Sequence, residues 1–384
     1  MSHIEMPTRR RCAALAALLG ATLALSARAE EPRGFLETVR KHATLSSTVP
    51  DDGDQNPYAV VVAPVSAGRI TKGDVLVDNF NDLSNLQGRG TTIIAYSPAT
   101  GQTRLVAKLA RDAGACPGGI GLTTAMTMLT TGWIIVGSTP STDGTTRTRG
   151  DGCLLVLDPD GNVVESWSGG PINGPWGNMA VIDNGATAAL FVSMVGFDLP
   201  GPQVRDPVTG YPVTLHKATV LRIDLDIPAG RPPVVRARTV VGDGFAHRAD
   251  RGDFLIGPTG LAIAPDGVLY VSDALGNRIV AIADAATRTD SAGTGLEVTR
   301  DGLLSKPLSL MWLPNGHLLT CNGWNGQVVE IDPVARRQIY AQWIDTNQAQ
   351  SPPGNGDLFG MAMRPDGRAF YYVTDDMNML MEAR

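Results

Sequence analysis

Asn79, Ser138, Asp273 and Asn322 each stand six residues after a glycine that separates two apolar runs. Ser193 and Asp375 stand eight residues after such a glycine, and two extra residues keep a strand side chain on the same face. Amide, hydroxyl and carboxylate oxygens at six matching points suit a hard cation such as calcium. The same residue types also bond the backbone of their own turn at a strand exit, and spacing alone does not choose. Close by in sequence are Trp176, Asn178 and Phe359, ahead of apolar runs, and Trp324 beside Asn325 in a polar loop. Rings next to amides can stack on and hydrogen-bond a sugar or lactone ring. They can equally pack one structural unit against the next.

Other chemistries lack their residues. There is no HExxH motif or His pair for zinc and no GxSxG elbow for a serine nucleophile. The few, scattered glutamates argue against a paired-carboxylate glycosidase. No histidine-and-arginine set is placed for a quinone cofactor. Acidic residues outnumber basic ones by 38 to 32, which excludes a basic groove for nucleic acid.

The elements that must position these residues are read from a repeat. Leu261-Ala262-Ile263 precedes Gly267, Leu310-Met311-Trp312 precedes Gly316, and Met361-Ala362-Met363 precedes Gly367. Met126-Thr127-Met128 before Gly132 and Met179-Ala180-Val181 before Gly185 repeat the pattern. Turns such as Pro265-Asp266-Gly267 and Pro314-Asn315-Gly316 between apolar runs are strong hairpin signals. A second and a third strand follow each turn, with room for a fourth. A weaker copy opens at Tyr58. Six such units without helical periodicity predict an all-β, six-bladed β-propeller of four-stranded antiparallel blades over residues 57–384. The last unit shows only three strands, so a strand near Ala43–Val49, within the N-terminal segment 30–56, is expected to close it.

With these residues in view, Gly257-Pro258-Thr259-Gly260-Leu261-Ala262 through Asp273-Ala274-Leu275-Gly276-Asn277-Arg278-Ile279 resembles an NHL repeat. The blade pattern more distantly resembles the gluconolactonase-like and paraoxonase-like propellers, which hold a divalent cation at the channel mouth with Asp, Asn and Glu. That resemblance implies Asn79, Asp273, Asn322 and Asp375 as cation ligands, although no glutamate stands at a strand start. It also implies Asp273 or Asp375 as a base beside a carbonyl polarised by the cation. Fold does not fix function. With no evident set of acid, base and nucleophile, the leading expectation is a non-catalytic binding module whose loop face takes a small molecule or protein partner. The alternative is a calcium-dependent hydrolase or lyase acting on a lactone or ester.

Arg9-Arg10-Arg11, an apolar run from Cys12 to Leu25 and Ala27-Arg28-Ala29 have the pattern of a cleaved export signal, residues 1–29. A periplasmic or secreted location without membrane insertion follows as the expectation. Beyond that segment, 28 basic side chains face 37 acidic ones. Cys116, Cys153 and Cys321 remain. An oxidising compartment permits a disulfide, and Cys116 with Cys153 is the nearer pair, against the alternative of three free thiols.

Overall fold

The computed structural model describes residues 34–384 apart from 112–113, 115, 197–201, 208–209 and 250–253. The expected export segment, residues 1–29, lies outside the described residues. Each Asx-Gly turn forms the hairpin its sequence demands: Gly267, Gly316 and Gly367 take φ of 86°, 84° and 69°, a region closed to most side chains. Six antiparallel sheets result.

Blade 1 comprises Gln55–Val62, Val75–Asn81, Thr92–Ser97 and Gln102–Lys108. Blade 2 comprises Leu122–Met128, Ile134–Ser138, Cys153–Leu157 and Val163–Trp167. Blade 4 runs through Pro258–Ile263, Leu269–Asp273, Arg278–Ile282 and Leu296–Arg300, and blade 5 through Pro307–Trp312, Leu318–Asn322, Gln327–Asp332 and Arg337–Trp343. In blade 6, Leu358–Met363, Phe370–Thr374 and Met379–Ala383 are completed by the N-terminal strand His42–Ser47, which pairs with Met379–Ala383. The closing strand covers the edge that Met379–Ala383 would otherwise present. Among the described residues the one helical element is the 3-10 turn Leu36–Thr38.

Blade 3 departs from the repeat. Its first two strands, Pro175–Asp183 and Thr187–Met194, are followed by the long pair Pro212–Asp226 and Val234–His247. These overshoot the blade, and the exposed flank of Pro212–Asp226 captures a fifth strand, Gln203–Arg205. The stretch between the second and third strands of this blade is therefore partly a β-extension.

The first strand of every blade is innermost and touches its counterparts in cyclic order. Between blades lie six apolar cores. Leu76 packs with Met126 and Val136 between blades 1 and 2, and Leu319 with Val328 and Tyr372 between blades 5 and 6. Fully burying each such side chain contributes about 1.5–3 kcal/mol. The alternating methionines Met126 and Met361 belong to these cores. At the axis, the inner strands approach so closely that a Cβ on Gly177 would collide with the Thr259 carbonyl, and one on Gly360 with that of Tyr58. Cys116 and Cys153 form a disulfide with Cα atoms 5.5 Å apart. It ties the segment entering blade 2 to that blade's third strand.

Candidate functional site: the mouth of the propeller

Strand pairing fixes where the six oxygen-bearing residues fall. Asn79, Ser138, Asp273 and Asn322 stand opposite Pro57, Leu122, Pro258 and Pro307, the last three of which open the inner strand of their blades while Pro57 is the third residue of its strand. The other two are out of register. In blade 6 Thr374 is opposite Leu358, so Asp375 lies one residue past the strand. In blade 3 Met194 is opposite Pro175, and Ser193 stands one residue earlier. The hairpins of these two blades carry an odd number of extra residues, not two, and an odd shift turns a side chain to the other face.

The residues in register are engaged with nearby backbone and side chains, and Asp273 and Asn322 hold their own turns. Asp273 accepts from Gly276 N at 3.0 Å through Oδ1 and pairs through Oδ2 with Arg278 Nε at 2.8 Å. Asn322 accepts from Ser305 N at 3.0 Å and donates to Leu303 O at 3.0 Å and to Asn325 Oδ1 at 3.1 Å. Asn325 also accepts from Gln327 N. Ser138 accepts from Gly121 N at 3.0 Å, and Asn79 donates to Thr48 O and Thr92 Oγ1. A cation needs converging, unengaged oxygens; Asp273 and Asn322 have theirs engaged, and Asn79 Oδ1 is the one in-register oxygen left without a partner among the described residues. The strand-exit account explains Asp273 and Asn322.

Asn178 has a structural task as well. From the inner strand of blade 3 it donates to Leu261 O at 2.7 Å and Leu310 O at 3.0 Å. Its Oδ1 accepts from Leu310 N at 3.0 Å and lies 3.3 Å from Ser309 Oγ. One side chain thus ties blades 3, 4 and 5 across the axis, with both ends of its amide engaged.

Of the aromatic residues singled out above, Trp176 and Phe359 both pack on Tyr58. Tyr58 stacks on Phe359 at 4.1 Å and on Phe80 at 4.6 Å between ring centroids. Trp176 meets Tyr58 and Phe80 edge-on at 5.6 Å, and Phe254 packs on Phe80. These rings plug the channel. Arg149 holds the Phe254 segment over them, donating to Phe254 O at 3.1 Å and Gly196 O at 3.0 Å. Above the plug is a cavity of about 200 Å³ walled by Tyr58, Trp176, Phe254, Phe359, Lys306 and Asp375. Trp324 is set beside it: its ring lies 5.5 Å from the Lys306 ammonium. Among the described residues Asp375 is the one acidic residue on the cavity wall, and its Oδ1 is buried without a hydrogen-bond partner. Burial, followed by the charges of Asp357 and Asp376, raises its carboxyl well above the ordinary range.

Those two neighbours belong to a group that the repeat pattern does not mark. Asp345 follows the outer strand of blade 5, Asp357 precedes the inner strand of blade 6, and Asp376 follows Asp375. One carboxylate oxygen from each lies within 4.8 Å of the others. Burial first, then Asp376 and Asp345, pushes the Asp357 carboxyl up to about 7. Burial likewise raises Asp345. Their spacing in sequence follows no repeat. The sole hint is the density of aspartates around an unusually long connection between blades.

No protein-family model matches the chain, and no curated protein matches it in sequence. Among solved structures, it is similar to a gluconolactonase from Xanthomonas campestris at 15% identity and a TM-score of 0.52, covering 90% of this chain and 89% of that one. A calcium-binding protein, regucalcin, from Agrobacterium tumefaciens gives 14% identity and a TM-score of 0.54, with 89% and 93% covered. The PQQ-bound aldose sugar dehydrogenase of Streptomyces coelicolor gives 15% and 0.53, with 90% and 98% covered. At such identities the likeness establishes the propeller fold. Among the described residues, no helix is long and apolar enough to cross a membrane.

Proposed function

We propose that this NHL-like propeller is an exported hydrolase or lyase acting on a small lactone or ester in the mouth cavity. The observation that carries the reading is Asp375: a carboxyl with an unpartnered oxygen, on the wall of a small cavity floored by aromatic rings. The expectation of a non-catalytic module rests on the lack of an evident set of acid, base and nucleophile; of the two candidate bases Asp273 is engaged in an ion pair, whereas Asp375 keeps an unpartnered oxygen at the cavity. A cavity of about 200 Å³ is below the usual range for drug-sized ligands and suits a single small ring. Phe359 and Trp176 offer apolar faces to such a ring. Lys306 brings positive charge to the wall, where an ester or lactone carbonyl gains negative charge during attack. In its ionised form Asp375 is placed to take the proton of an attacking water or of a carbon next to the carbonyl. The gluconolactonase among the similar structures supports the substrate class, and the Cys116–Cys153 disulfide supports export to an oxidising compartment.

The test is turnover of a panel of small lactones and esters by the wild type and by Asp375→Asn. We expect wild-type hydrolysis or elimination with at least one member, and a fall in kcat of about 10²–10⁴-fold in the variant with unchanged folding. Undiminished turnover by Asp375→Asn would remove Asp375 from the chemistry. A wild type that turns over no panel member but is stabilised by one of them would return the protein to the class of binding modules.

A further inference from the structure

We infer that Asp345, Asp357 and Asp376 form a calcium-class cation site between blades 5 and 6, with the Gln350 amide oxygen as a fourth ligand. The site is distinct from the ring of strand exits and from the axis of the propeller, and it stands whether or not the mouth cavity is catalytic.

The first observation is convergence: the three groups each bring an oxygen within 4.8 Å of the others. A cation bonded at 2.3–2.6 Å can bridge oxygens up to about 5 Å apart. The second observation concerns what is missing around them. Asp345 and Asp357 are 4% and 3% exposed, and each keeps a buried carboxylate oxygen, Oδ2 in both, with no hydrogen-bond partner. Gln350 Oε1, buried and equally without a partner, belongs to the amide that donates to Asp357 Oδ1 at 2.8 Å. Buried polar atoms are almost always satisfied, and among the described residues no Lys or Arg forms an ion pair with any of the three carboxylates. A divalent cation resolves both anomalies together. The donors are carboxylate and amide oxygens with neither His nor Cys, which selects a hard cation over zinc or copper.

The remaining contacts are already built around the same place. Asp345 Oδ1 accepts from Asn347 N at 2.9 Å, and Asn347 Nδ2 donates to Asp376 Oδ2. These bonds orient two carboxylates from different blades before any ion arrives. A cation here would fasten the long connection between Trp343 and Leu358 to the turn that carries Asp375. It would thereby fix one wall of the mouth cavity.

The experiment measures bound metal and melting temperature in the intact protein. We expect one calcium per chain after dialysis against calcium. With free calcium about a hundredfold above Kd, the melting temperature should exceed that in chelator by about 3–4 °C. Asp345→Asn and Asp357→Asn should each retain the β-sheet circular dichroism and lose both the calcium and the shift. Asp376→Asn, an exposed change that does not threaten folding, should weaken calcium binding at least tenfold by titration calorimetry. Asp273→Asn should leave calcium binding unchanged. A wild type with no bound calcium and no shift would overturn the assignment, as would an Asp376→Asn variant that binds calcium like the wild type. Lactone turnover is not part of this readout, so failure here and failure of the proposed activity are separate results.

Discussion

Blade 5 has buried carboxylates at both of its ends, and the two ends treat them in opposite ways. At the hairpin end, Glu330 is 0% exposed and fully engaged. It accepts from Phe35 N and Leu36 N at 2.8 Å and from Asn315 Nδ2 at 2.9 Å, with His317 Nδ1 at 2.7 Å. That carboxylate fastens the chain entering the closing strand to the body of the propeller. At the other end, Asp345 and the neighbouring Asp357 are nearly as buried but lack a donor at one oxygen each. Burial without partners is costly in the first case and avoided there. Its persistence in the second marks the end of the molecule that is built for something not made of protein.

The comparison can be broken at its structural half. Glu330→Ala leaves the buried Leu36 N–H and the half-buried Phe35 N–H without an acceptor. Each orphaned donor costs about 1–3 kcal/mol, so a total loss of about 3–5 kcal/mol is expected in denaturant unfolding. A loss below about 1 kcal/mol would show that the entering segment is held by other means.

Asp78 sharpens the contrast because it is half satisfied and alone. Its Oδ1 accepts from Ala59 N at 2.8 Å, while Oδ2 has no partner. Burial pushes its carboxyl up to about 8. Without a second carboxylate to share a cation, such a group keeps its proton. The folded chain then holds a proton that the unfolded chain has lost between about pH 4 and 8. Stability is therefore greatest below about pH 4 as far as this group is concerned, and falls as pH rises through 8. The slope approaches about 1.4 kcal/mol per pH unit. Asp78→Asn should flatten that part of the profile of unfolding free energy against pH. An unaltered slope would mean that Asp78 is ionised in the folded protein.

Much of the fold was legible because it rests on local chemistry. Pro265-Asp266-Gly267 and its counterparts dictate hairpins wherever they occur, and the apolar residues six and four before each glycine set the blade-to-blade cores. The missing fourth strand of the last blade pointed to a partner near Ala43, and His42–Ser47 takes that place. The site was less legible. A hairpin can lengthen by an odd or an even number of residues, and composition does not say which, so Ser193 and Asp375 were expected one residue away from where pairing puts them. Trp176 and Phe359 were found as rings near the mouth. Sequence did not disclose that Tyr58 and Phe80 would close the channel between them, because each reads as an ordinary strand residue. Asp345, Asp357 and Asp376 were missed because they sit on connections that carry no period. Only the packing of blade 6 against blade 5 brings the end of one against the turn of the other.

The most direct test of the claim that unsatisfied carboxylates mark the working end is crystallographic. An anomalous difference map from crystals grown in calcium should show one peak bounded by Asp345, Asp357 and Asp376, and none beside Asn79, Asp273 or Asn322. A peak at the strand-exit ring, or no peak between blades 5 and 6, would contradict the account.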